Sequence, residues 1–222
     1  MVHGAIAELG VHARDARQRA LIELTVAVTV APWTLSRAFR ARANADGLTD
    51  DDLLHAIALS AYFGHLNRIA DAVGVPLDYP VEIAAPHADP SRSPFEAAPE
   101  QLAADGALAL DRRPTTRDAL AAWQIYLAGK PGPLAPDERR AIAHRVARLA
   151  GDGTAEPTDA LDADIRALVD LVALAPWRLD DVAYRPLRAR GFDDVKLFDV
   201  CIAASTAGVT ARIAVASRAL AR

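Results

Sequence analysis

The chain has 222 residues, 52% hydrophobic and 24% charged, enough apolar side chain to fill one sizeable core or two packed ones. Its formal charge of −4, with arginines spread along the chain rather than gathered into a patch, argues against nucleic acid as a partner. The single cysteine, Cys201, excludes an intrachain disulfide and a four-thiolate zinc site.

The opening residues Met1-Val2-His3-Gly4 lack a basic region followed by an apolar core. The apolar stretch at 20–33 is interrupted by Glu23 and is short of a bilayer span. The expectation is a cytoplasmic protein with no membrane helix. Leu21, Leu24, Val28 and Ala31 step at three and four residues, which predicts a helix face turned to a core, and Pro32 ends that helix. A second helix is predicted just after Trp33, with Leu35 and Phe39 inward and Arg37, Arg40 and Arg42 outward. Gly47 follows as the positive-φ residue that commonly closes a helix.

Thr49 is the predicted N-cap of a third helix, with Asp50, Asp51 and Asp52 in its first turn, where free N–H groups and the helix dipole favour negative charge. From Leu53 and Leu54 through Ile57, Ala61, Phe63, Leu66 and Ile69 to Val73 an apolar stripe runs for about six turns, at 3.6 residues a turn. It ends at Gly74-Val75-Pro76.

The same course is then spelled a second time. Ala31-Pro32-Trp33, Gly47, Gly64 and Arg68-Ile69-Ala70 recur as Ala175-Pro176-Trp177, Gly191, Gly208 and Arg212-Ile213-Ala214, always 144 residues on. Ungapped, positions 24–72 share 15 residues with positions 168–216, and 11 of these are not alanine, so composition alone does not produce the match. Pro186 in the second copy predicts a second helix that is kinked or starts late. Pro80, Pro86, Pro90, Pro94, Pro99 and Pro114 mark a connector, with one short helix expected near 100–109. The resulting division is 1–78 as a first, truncated helical repeat, 79–114 as a Pro-rich connector and 115–222 as a second, fuller repeat.

Three runs carry a family resemblance: Pro32-Trp33-Thr34-Leu35; Gly47-Leu48-Thr49-Asp50; and Ala61-Tyr62-Phe63-Gly64-His65-Leu66-Asn67-Arg68-Ile69-Ala70-Asp71-Ala72-Val73-Gly74-Val75. They resemble the C-terminal part of the alkylhydroperoxidase D-like, peroxidase-related proteins of the carboxymuconolactone decarboxylase superfamily, best over residues 19–78. The resemblance implies an all-α fold, here as a tandem repeat, and assembly into oligomers. It also implies that peroxidase activity needs a Cys-x-x-Cys motif followed by histidine, with a glutamate upstream. One thiolate attacks the peroxide and the second resolves the sulfenic acid. In the second copy, Trp123-Gln124-Ile125-Tyr126 and the stretch from Asp137-Glu138 to His144 are similar to the helix leading into that motif, with Glu138 near the family's glutamate. Where the cysteines would follow, the chain reads Leu149-Ala150-Gly151-Asp152-Gly153-Thr154. Dithiol peroxide reduction is therefore excluded, and Cys201, on an apolar helix at the position of Ile57, reads as a buried small hydrophobe.

The candidate site is Tyr62, His65 and Arg68, spaced by three along one helix with Asn67 nearby. An arginine holding a carboxylate beside a histidine that moves a proton would suit decarboxylation or isomerisation of a small organic acid. The competing reading gives Arg68 and its counterpart Arg212 a structural part, bonding helix C-terminal carbonyls. Trp33 and Trp177 read as packing residues at helix corners. Glu138 and His144 fall on different sides of their helix, and His12, His55 and His87 show no metal-ligand spacing. With no phosphate loop or nucleotide fingerprint either, no cofactor or metal is expected. Two functions follow: non-redox chemistry on a small organic acid, or a non-catalytic structural or interaction subunit of a homo- or hetero-oligomer.

Overall fold

The computed structural model describes residues 9–75, 97–99, 101–103, 113–129, 131–157 and 161–222. Among them lie eight α-helices: α1 (Ala16–Val30), α2 (Arg37–Ala45), α3 (Asp50–Ala72), α4 (Pro114–Gly129), α5 (Pro136–Leu149), α6 (Ala163–Leu174), α7 (Asp181–Ala189) and α8 (Asp194–Ala219). No β-strand occurs among the described residues, only an isolated bridge between Leu102 and Asp152. The protein is all-α. Most of the Pro-rich connector lies outside the described residues, and so does most of the short helix expected at 100–109.

Local signals set the helix boundaries. Asp15 caps α1 by accepting from the Gln18 N–H at 2.7 Å. Pro32–Thr34 then forms one 3-10 turn, and α2 starts at Arg37 behind the N-cap Ser36, later than expected from Trp33. The delay has a physical cause: the turn uses residues 32–34, and the next side chain able to cap a helix is Ser36. Gly47 takes φ +87°, and the Leu48 N–H returns to the Ala43 carbonyl at 3.0 Å, closing α2 and burying Leu48. Thr49 and Asp52 form a reciprocal capping box on α3. In the second half Pro176–Arg178 is again a 3-10 turn, and α7 begins at Asp181, capped by Asp180. Of the kink or late start expected at Pro186, the late start is absent, since α7 runs from Asp181 through Pro186; Gly191 takes φ +85°.

Two apolar cores share one helix. The first joins Leu24 and Val28 of α1, Phe39 of α2 and Leu53 and Ile57 of α3 to the C-terminal half of α8 through Val209, Ile213 and Val215. The second joins Ile142 and Val146 of α5, Leu168 and Val172 of α6 and Leu187 of α7 to the N-terminal half of α8 through Leu197 and Val200. Helix α8 is long and apolar enough, by length and composition alone, to cross a membrane. Yet 78% of an 18-residue apolar window within it is buried inside the protein, as befits a helix that carries two cores.

The apolar stripe of α3 is wider than the face it buries. Leu53, Leu54, Ile57 and Ala61 are inside, whereas Leu59, Phe63, Leu66 and Val73 remain exposed. Trp33 packs against the first core as expected, but Trp177 is 39% exposed, so the repeated indoles do not have equivalent surroundings.

Candidate functional site

Helices α3 and α8 cross near Gly64 and Gly208, and that crossing decides where the three candidate side chains point. His65 is buried at the crossing, with Nδ1 2.7 Å from Ser205 Oγ. Ser205 Oγ also stands within donating distance of the His65 carbonyl, at 3.1 Å. Burial and the positive charge of Arg68 hold the imidazole below its ordinary range, keeping it neutral at pH 7. Trp123 of α4 meets the ring edge-on, with centroids 5.1 Å apart. Tyr62 lies 6.4 Å from His65 between centroids but is 46% exposed, and Asn67 is exposed as well.

Arg68 departs from this pair. Its guanidinium folds back over its own helix, Nη1 donating to the Gly64 carbonyl at 2.8 Å and Nη2 to the Ala173 carbonyl at 3.4 Å. Arg212 does the equivalent in α8, with Nη1 to the Gly208 carbonyl at 3.3 Å, Nη2 to Ala173 at 3.5 Å and Nε to the Thr29 carbonyl at 3.3 Å. Thr29 and Ala173 lie in the last turns of α1 and α6, where carbonyls have no following helical N–H and carry the negative end of the helix dipole. Two buried guanidiniums thus bind the C-terminal ends of α1 and α6, the structural role that the repetition of Arg68 as Arg212 suggested. Burial is costly for both: it brings Arg68 down to about 10, still a cation at neutral pH, and together with Arg68's charge it pushes Arg212 well below its ordinary value.

The glycines follow from the arginines. A Cβ on Gly64 would lie 2.9 Å from Arg68 Nη1, and one on Gly208 would lie 2.9 Å from Arg212 Nη1. Glycine four residues before each arginine leaves room for the guanidinium against the helix backbone. Tyr62, His65 and Arg68 therefore share a helix while the guanidinium turns away from the other two, and three cavities among the described residues are lined by other side chains. The spacing of three puts the Cα atoms on one side, but the length of an arginine lets its charged end return over the preceding turn.

The remaining sequence candidates have local roles. Glu138 accepts from the Ala135 N–H at 2.8 Å at the start of α5, and His144 Nδ1 accepts from the Glu156 N–H at 3.1 Å. Cys201 is 1% exposed, and burial pushes its thiol up to about 11, outweighing the hydrogen bond with Tyr184. The Tyr184 hydroxyl donates to the Ala72 carbonyl at 2.7 Å and ties α7 to the end of α3. Among the described residues no cluster of histidine, cysteine, aspartate or glutamate is placed to hold a metal.

The sequence pattern did not point to the cavities, among them a cleft of about 490 Å³ between α4, α5 and α8. Its polar residues, Gln124, Arg139, Arg140, Asp199, Thr206 and Thr210, come from three helices with no motif spacing. The one signal in the sequence is Thr206 on an apolar helix where the first copy has Tyr62. No known family, curated protein or solved structure matches this chain.

Proposed function

We propose that the chain is a cysteine-less, tandemly duplicated relative of the alkylhydroperoxidase D-like proteins whose role is assembly: a non-catalytic subunit that pairs with a second copy of itself through α3. The observation that carries this reading is the outer face of that helix. Leu59, Tyr62, Phe63, Leu66 and Val73, spaced by three, four and seven, are 42–54% exposed, and Ile125 and Tyr126 of the neighbouring α4 are 73% and 60% exposed. The corresponding positions of α8, 144 residues on, are Ala203, Thr206, Ala207, Thr210 and Ser217, smaller and more polar. The first four line the cleft between α4, α5 and α8.

A straight apolar stripe on a 23-residue helix is its own complement across a two-fold axis, which favours a second copy as the occupant. At 1.5 Å per residue the helix offers about 35 Å of contact line. The duplication is supported by recurring helix starts, by the matched glycine conformations and by the paired glycine–arginine contacts. Peroxide chemistry is not part of the proposal, because the chain has no second thiol for the resolving step and Cys201 is held protonated.

Sedimentation equilibrium tests the assembly. The wild-type chain is expected at about twice 23.6 kDa in the micromolar range, and Phe63→Asp with Leu66→Glu is expected to run as a monomer with its helical circular dichroism intact. Val11→Asp, a charge on an exposed residue outside α3, leaves the dimer in place. A wild-type monomer at every concentration up to about 100 µM, a ceiling above the range of specific standard-size interfaces, overturns the reading.

A further inference from the structure

A small cavity lies where the ends of α1 and α6 meet α5 and α8. It measures about 10 Å³, room for one water-sized body, and apolar side chains such as Val30, Val146, Leu149 and Leu174 surround it. Among the described residues that line it, Arg212 is the one that carries a charge. Its guanidinium is the part that reaches the wall. Nη2 donates to the carbonyl of Ala173, itself a wall residue, and Nε to that of Thr29, next to the wall residue Val30. A Cβ on Gly208 would touch both Arg212 Nη1 and Val146 Cγ1, at 2.9 and 3.9 Å, so the third nitrogen also lies beside the wall.

The charge of Arg212 is poorly compensated. Its three hydrogen bonds run to uncharged carbonyls at 3.3, 3.3 and 3.5 Å, longer than the usual range of about 2.7–3.2 Å. The charge that acts on it is a second cation, Arg68. The repeat shows what has changed between the copies. Arg68 is followed three residues later by Asp71, whose carboxylate attracts it, and 144 residues on that position holds Val215, a fully buried apolar side chain. A guanidinium gives up its proton only with great difficulty, so a buried one calls for an opposite charge rather than for neutralisation. A cation short of an opposite charge thus stands beside a space the size of a single ion.

We propose that this cavity binds one monoatomic anion, chloride being the abundant one, held against the guanidinium of Arg212. Size and charge set the class. A cation is repelled by Arg212 and Arg68, and a water molecule fits the space but leaves the charge as it was. Sulfate, phosphate and carboxylates need room for several oxygens, whereas the cavity has room for one centre. In place, the ion joins α8 to the turn at Pro32 and Trp33 and to the end of α6, and it stabilises the folded chain by mass action. The proposal stands independently of the α3 interface.

Two readouts on the full-length protein test this. Chloride exchanging with a protein site broadens its NMR line, and added bromide is expected to return the line to its free width, whereas gluconate of equal ionic strength leaves it broad. Urea unfolding in sodium chloride and in sodium gluconate is the second readout. The folding constant should rise in chloride as one plus the ratio of concentration to Kd, about elevenfold at about ten times the Kd found by NMR, with no such rise in gluconate. Val146→Ile adds a methyl group at the cavity wall, leaves every charge in place and should abolish both effects. Arg212→Met should abolish them too, and if that variant fails to fold, Val146→Ile still decides. A chloride line that the folded wild type leaves narrow overturns the proposal. So does broadening that survives either variant, or equal stabilisation by chloride and gluconate, the behaviour of general screening or of a bound water.

Discussion

At the scale of single residues, the repeated glycine–arginine pairs explain one another. Arg68 is held by the Gly64 and Ala173 carbonyls and cannot swing away to admit a new methyl group. Gly64→Ala therefore sets two effects against each other: a gain of about 1 kcal/mol in helix propensity and an overpacking cost of about 1–3 kcal/mol against a guanidinium that has nowhere to go. The expected result is a net loss of about 1 kcal/mol in urea unfolding. In an Arg68→Met background, where the guanidinium is absent, the same substitution should become stabilising. A Gly64→Ala penalty of equal size in both backgrounds would separate the glycine from the arginine. The repeat made these residues visible in the sequence. What it left hidden was direction, because side-chain spacing locates a Cβ and says little about where the rest of a long side chain ends. Arg68 and His65 therefore join the interior, while Tyr62 stays at the surface.

At the scale of elements, boundaries are governed by short-range chemistry and were the most legible part of the chain. Pro32, Gly47, Thr49 and their counterparts Pro176, Gly191 and Asp193 each act within one turn of themselves, so a linear reading finds them. Thr49 Oγ1 accepts from the Asp52 N–H at 3.1 Å, and Asp52 Oδ2 accepts from the Thr49 N–H at 2.9 Å. Thr49→Ala removes the first of these bonds and should lower the stability of the chain by about 1 kcal/mol in chemical denaturation. Thr49→Ser, which preserves the acceptor, should cost less than half as much. A long-range property was less legible. The sequence of α3 is apolar on more than one face, and nothing within the helix says which face is covered. The hydrophobic stripe predicted the helix correctly and its burial incorrectly at Phe63 and Leu66, because coverage depends on which helices pack across it.

At the scale of the whole molecule, α8 is the shared wall of both cores, and the His65–Ser205 contact lies where it crosses α3. Salt links brace the second half around it: Arg145 pairs with Asp170 through two bonds of 2.8 and 2.7 Å, and Arg218 pairs with Asp152. The crossing is also where acid should act first. His65 is neutral in the fold, with its proton affinity reduced by burial and by Arg68, whereas an unfolded histidine titrates near pH 6.5. Between those two values the unfolded chain binds the extra proton, so stability rises with pH there. The contribution is fully present above about pH 6.5 and is lost as the pH falls from there toward the lower, folded value. His65→Gln retains a side chain able to meet Ser205 but has nothing to titrate. Unfolding free energies measured in urea at pH 7, 6 and 5 should therefore decline more in the wild type than in His65→Gln. Parallel declines would place the acid sensitivity elsewhere. A steeper fall in the variant would contradict the neutral, buried imidazole on which the contact between the two halves depends.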